Sequence, residues 1–136
     1  MKISITQRPR RNRISQSIRS LVKENDLSVK DLIMPLFVID GKAKKEEIKS
    51  MPGIFRYSSD LIVKECRELF KLGIPAIVLF PSLSASKKDP TAKESYNPKG
   101  LYQSTLKAIK KVEPELTIIT DVAMDPYNSD GHDGFV

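Results

Sequence analysis

Cysteine is nearly absent from this chain. Cys66 is the only one among 136 residues, which rules out an internal disulfide and any cysteine-rich zinc centre. Long hydrophobic runs are missing too. No apolar stretch approaches a membrane span, and the basic opening is not followed by the apolar core of a secretory signal. Glycine-rich phosphate fingerprints are lacking. The loop Ser82 to Ser86 contains neither G-x-G nor G-K-[ST], which argues against Rossmann and P-loop nucleotide binding. There is no internal repeat, low-complexity segment or linker.

Acid is missing from the first 23 residues, which hold Lys2, Arg8, Arg10, Arg11, Arg13, Arg19 and Lys23. This segment carries +7 while the whole chain carries +6, so the remainder is −1. A phosphate-binding arm would need support elsewhere, and no basic stripe, aromatic platform or DNA-reading pattern supplies it. The arm reads instead as one that pairs with acids on a neighbouring subunit, without nucleic acid or membrane as a partner.

What is present is ordinary globular material. A hydrophobic content of 40% and a charged content of 29% match a soluble domain with room for a core. A cytoplasmic enzyme or binding domain fits best. Residues 1–30 form the basic arm, extended or irregular to about residue 13, with a short helix from Ser15 to Lys23. Residues 31–136 are patterned. Asp31 to Ile39 is nearly unbroken apolar sequence and predicts a strand buried on both faces, irregular at Pro35. Pro52-Gly53 mark a turn. Ser58 or Ser59 caps a helix with Asp60 in its first turn and Ile62, Cys66, Leu69 and Phe70 as its apolar stripe; Gly73 stops it. On that stripe Cys66 reads as core packing and not as a nucleophile.

Ile74 to Phe80 is a second strand, ended by Pro81, and a polar loop runs from Ser82 to Tyr96. Asn97-Pro98 predicts the start of a second helix, whose face is Leu101, Thr105, Ala108, Ile109 and Val112. Pro114 ends it. The order strand, helix, strand, helix, strand implies parallel strands. A small open doubly wound sheet and the first part of an eight-fold β/α barrel both satisfy it.

The third strand carries Leu116, Ile118, Ile119 and Val122 and runs into a loop with Asp121, Asp125, Asp130, His132 and Asp133, broken by Gly131 and Gly134. Acids at the carboxyl end of a parallel strand are placed as active-site groups of α/β proteins are. Turn-making is the competing account of the same residues. A calcium EF-hand is excluded, because Pro126 stands where its first acid belongs. His132 lacks the companions of a zinc site and reads as a loop hydrogen-bonder.

The stretch Asp121-Val-Ala-Met-Asp-Pro-Tyr-Asn-Ser-Asp-Gly-His-Asp-Gly resembles the metal-loop signature of the porphobilinogen synthase, or δ-aminolevulinate dehydratase, family. Further blocks occur in the matching order: Arg8-Pro-Arg-Arg-Asn-Arg, Asp31-Leu-Ile-Met-Pro-Leu-Phe-Val, Ser50-Met-Pro-Gly-Ile-Phe-Arg, Gly73-Ile-Pro-Ala-Ile-Val-Leu-Phe-Pro, and Lys88-Asp89. The resemblance implies a β/α (TIM) barrel, of which the arm and about the first three β/α units are present. It also implies a lyase of tetrapyrrole (heme) biosynthesis that condenses two 5-aminolevulinate molecules into porphobilinogen with loss of two waters. The arm would embrace another subunit, typically in a homo-octamer.

Zinc-using members of the family carry cysteines where this chain has Ala123, Asp125 and Asp133. The resemblance is therefore to the aspartate-bearing branch, with Mg²⁺ as the expected ion and zinc at the loop disfavoured. Asp121, Asp125 and Asp133 would line the active site, the last two as metal ligands. Met124 replaces a usual leucine, and Asp130 stands where histidine is common. The family's two Schiff-base lysines belong to later strands. Such a lysine is desolvated or set beside another cation, and Lys64, Lys71, Lys87, Lys88, Lys107, Lys110 and Lys111 show no such setting. A full barrel takes about 250 residues, so the chain looks like an amino-terminal portion, inactive alone. The alternative is a standalone, non-catalytic α/β binding or assembly module.

Overall fold

The computed structural model describes residues 10–134. Residues 1–9 and 135–136, including the arm's Lys2 and Arg8, lie outside the described residues. After a 3₁₀ turn at Arg11–Arg13, within the stretch expected to be extended or irregular, a short helix α1 (Gln16–Leu21) forms. The Ser15 hydroxyl caps it by accepting the Ile18 N–H at 3.2 Å. Among the described residues Ile14, Leu21 and Leu27 find nothing to pack on and are exposed.

Five strands follow where the sequence pattern predicts three: β1 (Ile33–Ile39), β2 (Lys45–Glu47), β3 (Phe55–Ser58), β4 (Ala76–Ser82) and β5 (Thr117–Thr120). Helix α2 (Ser59–Lys71) joins β3 to β4, and α3 (Leu101–Val112) joins β4 to β5. The sheet order is β2-β3-β1-β4-β5, all parallel except β2 on β3. The two extra strands escape periodicity for different reasons. Lys45-Glu-Glu is an exposed, wholly charged edge with no apolar alternation, and Phe55–Ser58 runs straight into a helix.

The two prolines behave differently from expectation. β1 keeps unbroken register with β4 past Pro35, while its ladder to β3 begins only at Phe37. β4 does not end at Pro81 but continues to Ser82; β5 flanks β4 only as far as Leu79, so the missing N–H deprives β5 of nothing.

Alternation along each strand sorts the sheet into two faces. Leu36, Val38, Ile77 and Leu79 pack with Ile62, Cys66 and Leu69 of α2, Tyr102 and Ile109 of α3, and Leu116 in one core. Both helices thus cover the same face, the arrangement of a barrel wall. A doubly wound sheet has helices on both faces, whereas a barrel wall has them on one. The other face carries Phe37 stacked on Phe80 at 5.6 Å, with Ile33 53% and Ile119 39% exposed. β1 is therefore buried along its helix-facing side, while on the other face only Ile39 at its carboxyl end is buried; β5, expected as a buried strand, is an edge whose run-on residue Val122 is 86% exposed.

α2 ends as the sequence indicates. Gly73 takes φ +87°, and the N–H groups of Gly73 and Ile74 return to the carbonyls of Phe70 and Leu69. α3 begins three residues later than Asn97-Pro98 suggests. Asn97 forms a turn by accepting the Lys99 N–H at 3.1 Å, and the cap position is Gly100. There the Glu94 carboxylate accepts the Leu101 N–H at 3.3 Å. A side chain does from a distance what the local cap does not.

Candidate active site at the carboxyl ends of the strands

Because β1, β4 and β5 are parallel, their carboxyl ends share one rim. Three connections meet there: the turn after β1, the long loop from β4 to α3, and the acidic loop after β5. The rim is mixed in charge. Lys87 of the long loop donates to Asp40, just past β1, at 2.6 Å. The Asp40 Oδ2 is buried without a partner. Asp60, at the start of α2, accepts the Ala43 N–H with both oxygens at 3.1 Å. The buried Ser58 hydroxyl accepts the Lys44 N–H at 2.9 Å, so the first connection is pinned from behind.

The acidic loop is organised around Asp133. Its Oδ1 accepts the Met124 N–H at 2.6 Å and the Asp125 N–H at 3.0 Å. Those two amides, aided by neighbouring His132, hold the Asp133 carboxyl below the usual carboxylate range. Asp125 and Asp133 are thereby drawn onto one turn, both exposed. Asp121 is not part of that turn. Its Oδ1 accepts the Ala123 N–H at 3.1 Å, and it faces a cleft of about 300 Å³ with Tyr102, Gln103, Leu106, Met124 and Tyr127. Met124 lies between the two acid positions, lining this cleft and a smaller one beside Asp133.

Among the described residues no group of three or more His, Cys, Asp or Glu side chains comes close enough to enclose a metal. The donor set of Asp125 and Asp133 is a pair of hard oxygens on one turn. That suits an ion such as Mg²⁺, which takes one or two carboxylates and keeps its waters. Asp130 lies apart, its N–H donating to the Asn128 side chain at 2.6 Å. His132 is exposed, and its effect on the site is electrostatic.

Periodicity did not reveal four residues of this region. Tyr102 reaches from α3 to donate to the Leu79 carbonyl at 2.8 Å, and Tyr127 meets it edge-on at 6.4 Å. Burial raises both phenols above their ordinary pKa. Asp89 and Asn128 join the long loop to the acidic loop. Both fall inside blocks that carry the family resemblance, but nothing in the sequence marks them as fasteners between the two loops.

The other reactive groups read from the sequence fall where expected. Cys66 is fully buried and burial pushes its thiol up to about 12, so it is packing material. Lys64, Lys71, Lys87, Lys107, Lys110 and Lys111 are exposed, and Lys88 is half-buried. Several hold partners outside any cavity: Lys71 on Glu68 at 2.8 Å, Lys110 on the Leu116 carbonyl at 2.7 Å. None has the desolvated setting that a neutral amine requires.

The model of the Delta-aminolevulinic acid dehydratase family matches residues 6–136. A curated relative of that name from Bradyrhizobium diazoefficiens is 48% identical over 129 residues, covering 95% of this chain and 36% of the relative. One from Chlamydia pneumoniae is 46% identical over 132 residues, covering 97% and 40%. Among solved structures, the Toxoplasma gondii delta-aminolevulinic acid dehydratase (porphobilinogen synthase), in complex with the reaction product porphobilinogen, superposes with a TM-score of 0.90. It is 45% identical, and the match covers 97% of this chain and 37% of that one. The chain thus spans well under half the length of these relatives.

Proposed function

The chain belongs to the delta-aminolevulinic acid dehydratase family, and from that premise we propose that it forms the arm and first wall of a porphobilinogen synthase. The reaction condenses two 5-aminolevulinate molecules, each bearing a keto, an amino and a carboxylate group, and releases two waters. In this reading the covalent work at the keto groups belongs to lysines outside the 136 residues, and the present chain contributes carboxylates at the rim.

The observation that carries the reading is the Asp133 carboxylate, ionised and oriented by two backbone amides beside Asp125 at the end of a barrel strand. A fixed carboxylate there holds a substrate ammonium by a charge-assisted hydrogen bond and restrains its approach. Asp121 lines the neighbouring cleft and places a second negative charge on the same loop. Asp125 and Asp133 are the residues that would hold Mg²⁺, which when bound polarises oxygen as a Lewis acid.

The arm has its own role. Ile14, Leu21 and Leu27 are exposed apolar side chains beside a cluster of arginines. A second copy of the protein would cover the former and pair with the latter, giving a homo-oligomer held through the arm, with the cytoplasm as its compartment.

The test uses the longest natural form of the protein. Asp125→Ala combined with Asp133→Ala is expected to abolish most porphobilinogen formation while the fold, followed by circular dichroism, persists. Unchanged turnover in that double variant would overturn the assignment of the site.

A further inference from the structure

The long loop between β4 and α3 has no role in the reading above, yet it is the support of the acidic loop. The Asp89 N–H donates to the Tyr127 carbonyl, and the Asp89 carbonyl accepts the Ser129 N–H, both at 3.2 Å. Asn128, only 4% exposed, lies between those two contacts. Its side-chain amide donates to the Pro90 carbonyl at 3.2 Å, and its Oδ1 accepts the Asp130 N–H at 2.6 Å. The acidic loop is thus fastened to residues 89 and 90 by one side chain and two backbone bonds.

The support is itself braced. The Asp89 carboxylate accepts the Thr91 N–H at 2.8 Å, the Thr91 hydroxyl at 2.5 Å and the Lys93 N–H at 3.0 Å. Ala92, buried, is held at φ +50°, in the left-handed region that favours glycine. A non-glycine residue persists there only when its surroundings over-determine the backbone. At its far side the loop is tied to β1 through the Lys87–Asp40 pair.

We infer that Asp89 and Asn128 are positioning residues, which set the acidic loop against the β4–α3 loop so that Asp125 and Asp133 stand at a fixed place on the rim. Neither side chain needs to touch substrate. Each acts through backbone that ends two or three residues from a carboxylate of the site. The functional consequence rests on the porphobilinogen synthase reading; the fastening itself does not. Loosening it should weaken binding of 5-aminolevulinate more than it slows chemistry at groups anchored elsewhere.

Two measurements decide the matter. In the chain itself, Asn128→Ala removes both side-chain bonds, and the Met124 and Asp125 amides that serve Asp133 should exchange about tenfold faster, the size of one modest hydrogen bond. Asn128→Asp keeps the acceptor for the Asp130 N–H and should fall between the two. In the longest natural form, Asn128→Ala should raise KM for 5-aminolevulinate about tenfold with kcat changed less than about twofold. Asp89→Ala, which unties Thr91 and Lys93, should act in the same direction. Unchanged exchange at Met124 and Asp125 overturns the inference, and so does faster exchange with an unchanged KM. If the unaltered protein forms no porphobilinogen, the functional reading fails instead, and the exchange result alone decides the positioning role.

Discussion

Asp133 and Asp125 are joined through a backbone N–H: the Asp125 amide donates to the Asp133 Oδ1 at 3.0 Å, beside the Met124 amide at 2.6 Å. The loop's acid turn is therefore closed by an ionised group, and its closure depends on pH. Asp133 has a folded pKa below its ordinary value of 3.8. A carboxyl depressed on folding contributes order that is fully present above its unfolded pKa and is lost as pH falls through the folded one. In an amide-detected NMR titration the Met124 and Asp125 signals should hold steady at neutral pH and move together below pH 3.8. In Asp133→Asn that movement should vanish. Signals that shift in concert near neutrality would contradict the account.

Gly100 and Glu94 make a second test. A Cβ on Gly100 would lie 2.5 Å from the Glu94 Oε1 and 3.1 Å from the Asn97 carbonyl. Gly100→Ala must expel the carboxylate that caps α3, so it should destabilise by about 1 kcal/mol, the usual worth of a helix cap. Glu94→Ala should cost a similar amount, and the two together little more than either, since both remove one interaction. Chemical denaturation reads all three. Additive losses would mean that Gly100 matters for some other reason.

Cys66 tests the core. Its thiol is fully buried and pushed up to about 12, so a thiol reagent at pH 8 should label the unfolded chain and leave the folded one untouched. Cys66→Ser buries a hydroxyl in a position shaped for sulfur and should cost about 1–3 kcal/mol if the hydroxyl finds no partner. Rapid labelling of the native chain would show that α2 does not stay packed on the sheet.

Helices and central strands were legible because their apolar spacing is local. Ile62, Cys66 and Leu69 announce one face of α2, and Gly73 announces its end. The acids after β5 were legible for the same reason, as an abrupt change from apolar to charged sequence. Long-range partners left no such trace. Lys45-Glu-Glu becomes a strand only because β3 lies beside it, Gly100 becomes a cap only because Glu94 reaches it, and Asn128 matters only because Pro90 is near. The prolines mislead by the same logic, since whether Pro81 interrupts a ladder depends on how far β5 extends.

The sheet's two flanks are unequal. On one, the charged strand Lys45–Glu47, with Lys45 Nζ 4.0 Å over the Phe55 ring, discourages any further strand from adding. On the other, Thr117–Thr120 stands ready to accept one. Strand addition is therefore favoured along Thr117–Thr120 over the charged edge. Left uncovered, the Thr117–Thr120 edge is the one by which isolated copies would pair with each other.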